Sequence, residues 1–202
     1  MAPQTTQHAT DQTTRSYFLA LRLVSFADTL NLITRSPDGG TDLTEVSGAL
    51  AAFAKIGIGR HSDSLQVDES ATRLTSVLSD VLAAIEESPM PNQEWRPLTT
   101  LLGDDLVGTL VGTSTSSIQR YRHGERPTPD DIAARLHTLA LIASDLAGSY
   151  NEFGIRRWFH RSRTALGGHS PADVLTGDWS PEDEPVRKVR DLARSLLGSP
   201  AT

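Results

Sequence analysis

The sequence contains no cysteine and no run of about 18 apolar residues. The first absence excludes disulfide scaffolds, zinc ribbons and thiol nucleophiles, and makes a reducing cytosol the expected home. The second argues against a membrane span. No segment alternates apolar and polar residues with β-branched enrichment, so an all-α chain is the economical expectation. Catalytic and cofactor patterns are missing as well. The six histidines, His8, His61, His123, His137, His160 and His169, lack the i, i+4 pairing and acidic neighbours of a metal site. Gly57-Ile58-Gly59 lacks the third glycine and preceding strand of a dinucleotide fingerprint, and there is no GxxxxGK[ST]. No nucleophile elbow and no distinctive carboxylate pair occurs. No metal, no cofactor and no enzymatic activity are therefore expected.

What is present is charge, unevenly spread. The formal net charge of -6 runs against nucleic-acid binding, but residues 1 to 90 hold 6 Lys and Arg against 11 Asp and Glu, whereas residues 113 to 163 hold 8 against 5. The middle of the chain can carry a local basic patch within an acidic protein. The opening MAPQTTQHATDQTT is polar, lacks the basic start and apolar core of a secretory signal, and is expected to be a disordered tail over residues 1–13.

Residues 14–35 carry Leu19, Leu23, Phe26, Leu30 and Ile33 at helical spacing, and Ser36-Pro37-Asp38-Gly39-Gly40 is the expected breaker. A second helix is expected from an Asp42 cap, with Glu45 reaching back, through Leu43, Val46, Leu50 and Phe53 to Gly57 and Gly59. A third runs from Asp68 to Ser88 with the stripe Leu74, Val77, Leu78, Val81, Leu82 and Ile85, closed by Pro89 and Pro91. Together these predict an N-terminal helical bundle over 14–90, followed by a domain at 91–151 and a module at 152–202.

The second segment has the layout of a helix-turn-helix. Short helices are expected at Trp95–Leu102, Asp104–Val111 and Ser114–His123, with Gly112 making the tight turn and Ser114 capping the third. Leu106, Leu110, Val111, Ile118 and Tyr121 should face inward. Thr115, Ser116, Ser117, Gln119, Arg120, Arg122 and, past Gly124, Arg126 are the candidate DNA-contacting residues. Arginine can bond guanine bidentately, glutamine can pair with adenine, and hydroxyls reach phosphates or base edges. The competing reading is a solvated polar helix between two packed ones. A long helix follows, with Thr128 as N-cap, Pro129 at N1, Asp130 and Asp131 in its first turn, and Ile132, Leu136, Leu139, Ala143, Leu146 and Tyr150 along one side.

From residue 154 the chain reads GIRRWFHRSRTALGGHSPADVLTGDWSPEDEPVRKVRDLARSLL. Trp158 and Phe159 are expected core anchors, Gly167 and Gly168 a sharp turn, Ser170-Pro171 the start of a short helix, and Val186, Val189, Leu192 and Leu196 the stripe of the last helix. Arg156, Arg157, Arg161 and Arg163 form a cluster that is either a contact surface for phosphate or an acidic partner, or a solvated face with local ion pairs.

The order W-F, polar gap, A-L-G-G-x-x-P-x-x-V-L, acidic loop and amphipathic helix resembles the toxin-binding domain of Xre/MbcA/ParS-type antitoxins, and TSTSSIQRYRHGERP resembles that family's recognition helix. The resemblance covers roughly residues 95–200; the N-terminal bundle is an addition to the family pattern. It implies a homodimer that binds a double-stranded DNA operator beside its own genes and represses transcription. It also implies that the C-terminal module covers a RES-domain toxin that consumes NAD, in a bacterial cytoplasm and nucleoid. The alternatives are a stand-alone helix-turn-helix regulator and a protein-interaction module with a vestigial helix-turn-helix.

Overall fold

The structure, a computed structural model, describes residues 4–35, 41–59 and 71–197. All regular structure among them is helical, and none of the described helices is long and apolar enough to cross a membrane. The chain divides between Ser88 and Pro89 into two compact units, at the proline punctuation that the sequence marks.

The first unit is three helices, α1 (Gln4–Thr29), α2 (Leu43–Lys55) and α3 (Ala71–Glu86), with α1 packed against both others. Helix α1 begins at Gln4, so residues 4–13 are helix where the sequence led us to expect a tail. Neither Gly nor Pro interrupts that segment, and once a nucleus is packed each further residue adds a hydrogen bond without a new nucleation cost. The helix also stops earlier than expected. Asn31 takes a left-handed φ of 55°, and the amides of Asn31 and Leu32 close onto the carbonyls of Asp28 and Ala27, a Schellman ending that needs no Gly. The expected breaker at 36–40 lies outside the described residues.

Asp42 caps α2 by accepting the Glu45 amide at 2.8 Å. Leu23, Phe26 and Leu30 from α1, Val46, Leu50 and Phe53 from α2, and Leu78, Val81, Leu82 and Ile85 from α3 are buried, while Leu19, Ile33, Leu74 and Val77 lie at the margin. Phe26 and Phe53 stack at 5.8 Å. Arg22 and Glu86 pair across α1 and α3 at 2.8 Å.

The second unit is built on α7 (Asp130–Ala147), of which every residue from Ile132 to Leu146 except Ala134 is buried. Around it lie α4 (Pro91–Leu102), α5 (Asp104–Val111), α6 (Thr115–Arg122), α8 (Glu152–His160), a 3-10 turn (Thr164–Leu166), α9 (Pro171–Val174) and α10 (Glu184–Arg194). Because α4, α5, α8 and α10 all pack on α7, the segments on either side of residue 151 share one core. Two details of α7 depart from expectation. Thr128 does not cap it, since its hydroxyl accepts the Trp95 indole N–H at 2.9 Å, and Tyr150 falls beyond its end. In the α4–α7 contact, Glu94 and His137 are both buried and meet at 2.5 Å.

Trp158 and Phe159 are core residues set edge to face at 5.4 Å. Ser170 and Asp173 form a reciprocal capping box on α9. The Ser170 backbone N–H, donating to the Asp173 carboxylate at 2.8 Å, is the main cause that holds this carboxyl below the usual aspartate range. On the last helix the buried positions are Val186, Val189 and Ala193, continued by Leu197 in the turn beyond its end, with the expected Leu192 and Leu196 half-buried. The spacing 3, 4, 4 follows the 3.6-residue period of the contact with α7.

Candidate nucleic-acid interface

Helices α5 and α6 are joined by Gly112-Thr113-Ser114, and each residue of the joint has a local reason. Gly112 adopts φ 74°, ψ 39°, a left-handed conformation costing an L side chain about 1–2 kcal/mol. Ser114 is extended and accepts the Ser117 amide at 3.2 Å, capping α6. At the far end Gly124 has φ 71°, and the amides of Gly124 and Glu125 bond the carbonyls of Tyr121 and Arg120, so α6 is terminated on both sides by its own sequence.

The angle between the helices is held from beneath. Ile118 is fully buried, and Tyr121 stacks on Trp95 of α4 at 5.5 Å. A Cβ on Gly108 would sit 2.8 Å from the Thr113 carbonyl oxygen and 3.4 Å from Ile118 Cδ1. Gly108 is therefore where the turn and α6 press against α5, a position that sequence reading passed over. Its signal was a glycine inside an eight-residue helix, which costs about 1 kcal/mol against alanine unless packing needs it. Val107 is buried, whereas Leu106, expected inside, is half-exposed.

The turn is also held from behind. The Trp179 indole donates to the Leu110 and Leu175 carbonyls at 2.8 and 2.9 Å. Arg135 donates to the Trp179 carbonyl at 2.8 Å and to the Val111 carbonyl at 3.4 Å, lies 5.8 Å from the Trp179 ring, and pairs with Asp178. The loop after α9 is thus bonded directly to the last turn of α5.

Of the candidate contact residues, Thr115, Ser116, Gln119 and Arg120 are exposed together on one side of α6. Ser117 is half-buried and occupied in the cap, its hydroxyl 3.0 Å from that of Ser114. Arg122 turns the other way: it donates to Asp104 at 3.1 Å and to the Thr99 hydroxyl at 3.2 Å, tying α6 to α4 and α5. Its charge is compensated inside the fold. Arg126 is exposed beyond the helix, 5.9 Å from the Tyr121 ring. On the α5 side, Asp105 lines the open groove with Thr113, Ser114 and Thr115. Arg120 and Arg126 are the candidate cations left exposed on this part of the unit.

The second cluster separates similarly. Arg156 faces Glu152 one turn away at 3.8 Å, while Arg157, Arg161 and Arg163 line a common cleft with Trp158. The chain matches no family model, no curated protein and no solved structure among those compared.

Proposed function

We propose that the chain is a sequence-specific DNA-binding regulator in which α6 enters the major groove of a double-stranded operator. The single observation that carries this reading is the α5–Gly112–α6 unit. It is a capped helix on a glycine turn, clamped to its neighbour at Gly108, presenting Ser116, Gln119 and Arg120 outward while Ile118 and Tyr121 anchor it. A merely solvated helix has no need of a turn braced from two sides. Thr115, Ser116, Gln119 and Arg120 are the base-reading candidates, Arg126 a phosphate contact, and Arg122 a strut. Two copies related by a twofold axis would place two such helices about one DNA turn apart on a palindromic site.

The resemblance to Xre/MbcA/ParS-type antitoxins extends the proposal. The regulator is then the antitoxin of a toxin–antitoxin pair, and residues 152–197 present the surface that covers a RES-domain toxin. The loop carrying Trp179 would then lie between the toxin face and the DNA-reading turn.

Operator binding measured by gel shift across a salt series tests the DNA assignment. Arg120→Ala should weaken binding and, if Arg120 touches phosphate, reduce the salt slope by about one. Arg122→Ala should leave the slope unchanged because its charge is already paired. Unchanged affinity and specificity in a combined Gln119→Ala, Arg120→Ala variant would reject α6 as the recognition helix. Copurification of a RES-type protein from the native host is the result expected of an antitoxin.

A further inference from the structure

The cleft at the C-terminal part of the second unit is small, about 200 Å³, and lined by Tyr150, Gly154, Arg157, Trp158, Arg161 and Arg163. Three features set it apart from a solvated basic face. Its lining holds three guanidinium groups and no carboxylate, and none of the three is ion-paired among the described residues. Trp158, only 2% exposed, has its indole N–H buried with no hydrogen-bond acceptor, and the Nε–H of Arg163 is in the same condition. Finally, the cleft is shaped by backbone. Asn151 caps α8 through the Gly154 amide at 2.9 Å, and the absence of a side chain at Gly154 lets the Tyr150 ring lie against the helix, where a Cβ would meet it at 3.0 Å.

Buried donors without acceptors are costly, typically about 1–3 kcal/mol each, so an acceptor brought to this concave surface would be favoured. The other two tryptophans illustrate the rule: the Trp95 N–H bonds Thr128 and the Trp179 N–H bonds two carbonyls. The Arg163 guanidinium lies 5.4 Å from the Trp158 ring, and burial, with Arg161 nearby, pulls its pKa below the usual arginine value. An anion in the cleft would relieve that repulsion. A single carboxylate has two oxygens and one charge. Three guanidiniums and an indole N–H offer more donors and more charge than it can absorb, whereas a phosphate group offers three or four oxygens and up to two charges.

We propose that this cleft is a phosphate-binding site, with Arg157 and Arg161 supplying the mobile charges and Trp158 and Arg163 the fixed donors. The site stands independently of whether α6 reads DNA. By the same count a free or terminal phosphate matches the donors better than a DNA-backbone phosphodiester, which has two non-bridging oxygens and one charge, and one experiment separates these sources.

Inorganic phosphate is titrated into the ¹⁵N-labelled full chain while the three indole N–H resonances are followed. The Trp158 resonance is the one without an existing hydrogen bond. A saturable downfield shift confined to it, complete by about 10 mM phosphate and absent with chloride at equal ionic strength, is the expected result. Arg157→Gln and Arg161→Gln, both at exposed positions, should each weaken the response roughly ten-fold or more. If the DNA backbone is the source, both variants also lose affinity for duplex DNA and phosphate competes with it. If the source is a small phosphate, DNA affinity is unchanged while the indole response is lost. No saturable shift beyond the chloride control, or a shift that survives the Arg157→Gln, Arg161→Gln double variant, overturns the site.

Discussion

At the residue scale, two positions show how local chemistry is bent to the fold. Gly108 sits in the middle of α5, and the reason is a backbone oxygen 2.8 Å from where its Cβ would be. Alanine raises helix propensity there by about 1 kcal/mol, yet the obstacle is main chain and cannot rotate away. Gly108→Ala should therefore destabilise the chain in urea unfolding and weaken operator binding more than Arg122→Ala does. A stabilised variant would mean that the turn does not press on α5. Asp28 near the end of α1 is the second case. Burial raises its pKa, only partly offset by Arg35. Because the folded-state pKa exceeds the unfolded one, the ionised carboxyl opposes folding at neutral pH, and the opposition disappears as pH falls through the raised value. Asp28→Asn should accordingly raise the urea midpoint at pH 7, with the advantage over the parent shrinking toward pH 3. A midpoint difference that does not change with pH would remove burial of charge as the cause.

At the element scale, the helix-turn-helix depends on groups far along the sequence. Trp179 lies 69 residues from the Leu110 carbonyl that it bonds, and Arg135 connects the same turn to the Trp179 carbonyl. Trp179→Phe keeps most of the ring and removes the donor, leaving two carbonyls with one partner fewer. A loss of about 1–2 kcal/mol is expected. Hydrogen exchange at the Thr113 amide, which bonds the Gly108 carbonyl at 2.9 Å, should accelerate more than that of amides in α10. Uniform acceleration across the second unit would show that the indole stabilises the core without bracing the turn. If the C-terminal face receives a partner, this brace is the short physical route by which that event reaches α6, because displacing the 175–183 loop removes the support of the turn.

At the scale of the whole molecule, the charge imbalance and the division of the chain coincide. The unit before Pro89 carries 6 Lys and Arg against 11 Asp and Glu, and the remainder is close to neutral with 13 against 14. Everything in the proposed DNA-reading apparatus, including its braces, belongs to the second unit. A fragment spanning residues 89–202 is therefore expected to retain helical circular dichroism, unfold cooperatively, and bind an operator half-site with affinity no weaker than the full chain. A fragment that fails to fold would show that the second core is incomplete without the first unit.

Element types and most of the buried stripe were legible in the sequence because they depend on short-range periodicity and caps. The apolar stripes of α1 and α3, the Asp42, Ser114 and Ser170 caps, and the glycine turns at 112 and 124 all act within a few residues of themselves. Their positions in the structure follow from that locality. The exposed set Thr115, Ser116, Gln119 and Arg120 was readable for the same reason, since helical phase fixes which side chains oppose Ile118 and Tyr121. Tertiary structure alone decided what arginines do. Nothing local distinguishes Arg120, exposed, from Arg122, paired with Asp104, or gathers Arg157, Arg161 and Arg163 around an indole, whereas the Arg156–Glu152 pair is an i, i+4 contact within α8. A long flexible cation takes its role from whichever acceptor the packing brings within reach, and those acceptors lie on other elements, whose approach sequence periodicity does not encode.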